Sequence, residues 1–188
     1  MQTDDISQTL RTLFSELVNG TGTGGGFVLN SGDTGLLRSL DKLSAPEASQ
    51  SAGGGATIAA HAQHLRFGLS LMNRWAAEGG DPFSNAKWDE AWKTSRVNDD
   101  EWAAIREGLR GETEPWLGAL GAPRQVTTLE LNGMFGSIAH LAYHLGAIRQ
   151  IATAARGPDD IENECVIAEH GSANRPAVSD RVKSLGRS

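Results

Sequence analysis

The stretch that decides the fold runs from Thr127 to Arg156 and reads TTLELNGMFGSIAHLAYHLGAIRQIATAAR. Thr127, followed three residues later by Glu130, is a capping box, in which each side chain satisfies a free backbone N–H of a starting helix. Met134, Ile138, Leu141, Leu145 and Ile148 then recur at intervals of three and four, and Gly157-Pro158 supplies a stop. The spacing predicts one long helix from Thr127 to about Arg156. His140 and His144 sit inside it at i,i+4, roughly 40° apart at about 100° per residue and one turn above one another. Two imidazoles so placed can direct nitrogens at one point, as in helical zinc motifs. Two partly buried, hydrogen-bonded or surface histidines are the alternative. Gly133, Gly136, Ser137 and Ala147 fall beside the pair on a helical wheel. Small residues there leave room for an ion and its other ligands, or else allow another helix to approach closely.

Working back along the chain, a second histidine-bearing helix is expected from Thr57 to about Glu78, ended by Gly79-Gly80-Asp81-Pro82. In it His64 is followed one turn later by Gly68, which again leaves space, with Leu71 and Trp75 on the same side. His61 lies about 60° away, closer to the stripe of Ile58, Leu65, Leu69 and Met72. These neighbours favour His64 as a third ligand to a metal on His140 and His144, with His61 either supporting the site or simply packed.

The remaining elements are helical too. Ile6, Leu10, Leu13, Phe14, Leu17 and Val18 form one amphipathic stripe closed by Asn19-Gly20. Thr21 to Gly26 is glycine-rich but has neither the preceding strand nor the following helix of a phosphate-cradling loop, and is expected to be a flexible connector. Asp33 can cap a short helix carrying Leu36, Leu37, Leu40 and Leu43, and Ser44 with Glu47 is another capping box. Trp88 and Trp92 are expected on a short helix or turn over one end of the core. Asn98 with Glu101 opens a helix carrying Trp102, Ile105 and Leu109, which Pro115 should kink or split. No segment alternates as a strand would. Four long helices with extra short ones predict an all-α four-helix bundle over residues 1–156, and residues 157–188 are expected to be an extended arm, poorly ordered near its end.

Composition bounds the partners. The chain has 188 residues and a formal net charge of -6, so the basic footprint of a duplex-binding domain is missing from the folded part. The densest basic stretch, Arg175 to Arg187, lies in the arm. No apolar run approaches the roughly 18 residues a membrane helix needs. The opening Met1-Gln2-Thr3-Asp4-Asp5 is acidic where a signal peptide is basic, which points to a cytoplasmic protein. The lone Cys165 cannot form an internal disulfide, fits a reducing compartment, and is expected to be a bystander.

The segment GSIAHLAYHLGAIRQ, residues 136–150, together with TIAAHAQHLRF, residues 57–67, resembles the DinB-like (DinB/YfiT) superfamily. The resemblance covers about residues 1–156. It implies a four-helix bundle that binds a divalent metal through one histidine of the second helix and an H-x-x-x-H pair of the fourth. Matching the His-Leu step of the second helix places that histidine at His64; a shifted register would make it His61. Many relatives read H-x-x-x-H-x-G-Q, and here Ala147 stands where that glutamine would be, so no amide role carries over.

Three neutral imidazoles with no carboxylate suit zinc, nickel or a neighbouring transition metal, whereas calcium and magnesium want oxygen ligands. Three protein ligands leave a position open, the arrangement of a catalytic zinc. The metal would bring a bound water or thiol towards neutral pKa. The resemblance further implies transferases and isomerases that use low-molecular-weight thiols, the thiolate ligating the metal and attacking a small electrophile. Two rival classes stand beside this one. A metal-dependent hydrolase would want a nearby carboxylate, and these helices carry no E-x-x-H or H-E pairing. A non-enzymatic metal-containing binding or stress-response module, or a homodimer whose histidines are structural, is the other. Arg66 and Arg149 flank the site in sequence and are either contacts for an anionic substrate or solvated and salt-bridged side chains.

Overall fold

A computed structural model describes residues 3–157. The expectations for the C-terminal arm, including Cys165 and the basic stretch, lie outside those residues. Among the described residues the protein is all-helical, with an isolated bridge between Ser51 and Thr57 and no strand. In chain order the helices are α1 (Thr3–Asn19), α2 (Gly35–Asp41), α3 (Ala45–Ala48), α4 (Ile58–Glu78), α5 (Trp88–Ala91), α6 (Asp99–Gly121) and α7 (Thr128–Ile151). None is long and apolar enough to cross a membrane.

The helix starts follow from local chemistry. Ser44, Asn98 and Thr127 each accept from the backbone N–H three residues on, and Glu47, Glu101 and Glu130 return the bond, three complete capping boxes. Thr57 caps α4 by accepting from Ala60 N–H at 3.2 Å. Two expectations about length are corrected. α7 ends at Ile151, five residues early, and the chain tightens into a single 3-10 turn at Thr153–Ala155. α6 runs unbroken through Pro115. Pro115 and Gly111, whose carbonyl loses its partner, are both exposed, so water can take up the freed acceptor.

The four long helices close a ring of contacts: α1 packs on α6 and α7, and α4 packs on the same two. Phe14, Leu36, Leu65, Leu109, Leu141 and Ile148 meet in the shared interior. Two buried tryptophans bring their polar atoms to partners, as burial requires. Trp102 Nε1–H donates to Leu43 O at 2.7 Å, and Trp116 Nε1–H donates to Ser137 Oγ at 2.9 Å.

The glycine-rich loop is anchored rather than a free connector. Buried Glu16 of α1 accepts from the backbone N–H groups of Phe27, Val28 and Leu29 at 2.9, 2.7 and 2.6 Å. The amides just after the loop thus cradle an anion, but the anion is the chain's own carboxylate. Where α1 hands over to α2, Gly20 and Gly35 have φ of +89° and +70° and lie against each other's backbone segments, so a Cβ on either would strike main chain.

Candidate metal centre

The four histidines of α4 and α7 form one contiguous cluster. His140 and His144 face the same side of α7, with Nε2 atoms 2.9 Å apart. His64, reaching across from α4, brings its Nε2 to 3.0 Å from that of His140. His64, His140 and His144 each offer a ring nitrogen, and these lie within 4.8 Å of one another, close enough to hold one metal ion. His61, one turn earlier on α4, instead places Nδ1 2.8 Å from Nδ1 of His144.

Burial sets the charge state. His61, His64 and His144 are buried and His140 is half-buried. Desolvation pushes all four imidazoles below their ordinary range. For His64 it combines with the charges His140 and His61 would carry to bring the value to about 4. For His144, desolvation and the same repulsion from His140, His61 and His64 bring it to about 3. At neutral pH each ring is therefore uncharged and carries one N–H and one lone pair.

The donor set fits a divalent transition metal. At metal–nitrogen distances of about 2.0–2.1 Å, ligand nitrogens lie about 2.8–3.0 Å apart in octahedral and about 3.3–3.4 Å apart in tetrahedral arrangement, near the 3.0 and 2.9 Å that separate His140 from His64 and His144. Ligation through the three Nε2 atoms leaves the hydrogens on Nδ1. His144 then donates to His61, and that bond holds the ring's tautomer and orientation. His64 Nδ1 is buried with no hydrogen-bond partner among the described residues, so ligation through Nε2 would leave its N–H unsatisfied.

Aromatic residues cover the cluster. Trp92 stacks on His64 with ring centroids 4.1 Å apart and planes at 24°, and stands edge-on to His61 at 5.5 Å. Trp88 lies 5.6 Å from His64. The i,i+4 pair of tryptophans was legible as a cover for the core; that it covers the histidines was not, because nothing local to residues 82–92 says which end of the helices this segment crosses.

Beside the histidines lies a cavity of about 500 Å³, lined by His64, His140 and Trp88 and, farther along the helices, by Trp75 and Phe83. The small residues of α7 divide into separate roles. Gly133 is covered by the Trp75 ring, whereas a Cβ at Gly136 would meet nothing within 4 Å. Gly68 on α4 faces Trp88 and His140 at ordinary contact distance. Ser137 is occupied by Trp116.

The two flanking arginines are not brought to the site. Arg149 makes a bidentate pair with Asp33 at 2.8 and 2.7 Å, joining α7 to the segment before α2. Arg66 lies along α6, its guanidinium over Gly108. No protein-family model, curated protein or solved structure matches this chain.

Proposed function

We propose that this chain is a DinB/YfiT-like four-helix bundle that holds one zinc or nickel ion on His64, His140 and His144 and acts as a transferase for a low-molecular-weight thiol. The observation that carries this reading is the convergence of three uncharged Nε2 atoms from two helices beside an apolar cavity. The ring of contacts among the four long helices supports the bundle. A divalent cation held there supplies a Lewis acid that brings a thiol or water towards neutral pKa. The chain's own residues do the rest. His61 orients His144, Trp88 and Trp92 keep bulk water from His64, and the cavity leaves space for a second reactant. Hydrolysis ranks lower, since among the described residues no carboxylate joins the histidine cluster or lines the cavity.

Elemental analysis of protein purified without chelator or histidine tag tests the metal. Cobalt-substituted protein titrated with bacillithiol, mycothiol, glutathione and cysteine tests the thiol. An intense near-ultraviolet band that grows with one thiol, and that His144→Ala protein lacks, is the expected result. Stoichiometric metal with no spectral response to any thiol would move the metal-containing binding module ahead of the transferase.

A further inference from the structure

We infer that the cavity beside the histidine cluster binds an uncharged, flat aromatic molecule, with its reacting end at His64 and His140 and its ring system against Trp75 and Phe83. This deepens the function proposed above by naming the class of the electrophilic partner, and it rests on that reading for the chemistry.

The size fits a small molecule: about 500 Å³ falls within the range of roughly 300–1,000 Å³ typical of such sites. The lining includes no Lys, Arg, Asp or Glu, so away from the histidine end, where the proposed cation would sit, a charged group would lose its hydration and meet no counter-charge. Its other polar side chain, Ser137, has its hydroxyl engaged, accepting from Trp116 Nε1–H and donating to Met134 O at 2.7 Å. Besides the indole N–H groups of Trp75 and Trp88, the histidines are left as the polar atoms of the lining. Farther along, Trp75 and Phe83 meet edge to face, centroids 5.6 Å apart at 82°, offering the ring surfaces on which an aromatic guest packs best. The floor is a helix surface without side chain at Gly136, where nothing lies within 4 Å of a built Cβ. At the rim Leu129 is 72% exposed, an apolar side chain that the fold itself does not cover.

The test compares two probes that share a ring system and differ by one sulfonate. N-phenyl-1-naphthylamine should bind the full zinc-loaded chain saturably, with energy transfer from tryptophan. 1-Anilinonaphthalene-8-sulfonate should bind at least about ten-fold more weakly. Gly136→Leu fills the floor and should cost the neutral probe about ten-fold or more. Phe83→Arg, in a turn outside any helix, brings a cation to the rim and should reverse the preference, which covers the case in which the α7 variant does not fold. No saturable binding of the neutral probe, equal affinity for both probes, or wild-type behaviour in the folded variants overturns the inference. Zinc content is read on the same samples. Neutral-probe binding without stoichiometric zinc sinks the metal reading and leaves the cavity assignment standing; zinc without probe binding does the reverse.

Discussion

Nδ1 of His61 lies 2.8 Å from Nδ1 of His144, so one proton is shared between a ring that faces the other histidines and a ring that does not. In the proposed metal centre His61 is thereby a positioning residue. His64→Ala, His140→Ala and His144→Ala should each abolish stoichiometric metal binding. His61→Ala should keep the ion but weaken affinity about 10–100-fold, the usual effect of removing a hydrogen-bond partner of a ligating histidine. Calorimetric titration with zinc checks this. Full loss in the His61 variant with retention in the His64 variant would move the third ligand one turn along α4.

Chelation should separate metal from fold. An ion that binds only the folded chain adds about 2.7 kcal/mol at 100-fold excess over its dissociation constant. Removing it should lower the melting temperature by several degrees. The helical circular dichroism should persist, because the shared interior of α1, α4, α6 and α7 is apolar and continuous without the site. Collapse of helicity on adding chelator would make the metal structural instead.

Metal-free protein should lose stability as the solution becomes acid. His64 and His144 are held at about 4 and about 3 when folded, below the ordinary 6.5 they regain on unfolding. The unfolded chain therefore binds protons first, so the contribution of these rings is constant above about pH 7.5 and falls as pH drops through 6.5 towards 4. Each histidine contributes at most about 1.4 kcal/mol per pH unit in that window. Urea midpoints measured from pH 8 to 4.5 give the slope, and His64→Gln/His144→Gln protein should show a shallower one. An unchanged slope in that variant would mean these rings carry no stored protonation cost.

The Asp33–Arg149 pair should matter for folding and not for the metal. Both side chains are largely buried, at 5% and 15% exposure, so Asp33→Asn or Asp33→Ala leaves a guanidinium without its counter-charge. A loss of about 3 kcal/mol is expected, since removing one partner of a buried pair costs more than the pair contributes. Zinc stoichiometry of the folded variant should match that of the wild type. Loss of zinc binding in a well-folded Asp33 variant would tie Arg149 to the site after all.

Trp92 should govern access to His64. Trp92→Ala removes a stacked ring and should speed the transfer of metal to a chelator while leaving the stoichiometry unchanged. Stopped-flow with a chromogenic chelator reads the rate. Identical rates in variant and wild type would leave the tryptophan as packing only.

The sequence by itself determined the helices and where most of them begin. Capping at Ser44, Thr57, Asn98 and Thr127 involves residues three apart, and the apolar stripes of α1, α4 and α7 have a period that only a helix satisfies. It also put His140 and His144 on one face, since i,i+4 geometry is local. Tertiary structure alone decided what crosses from one helix to another. Whether His64 or His61 meets His140 depends on the relative rotation and height of α4 and α7, which the residues of neither helix specify. Arg149 turns to Asp33 because the segment before α2 delivers a carboxylate there, 116 residues away in the chain. Trp92 reaches His64, and Glu16 reaches the amides of Phe27 to Leu29, only because loops return over a core assembled elsewhere. Local periodicity encodes which face of a helix is buried; it does not encode what will be found on the other side of the interface.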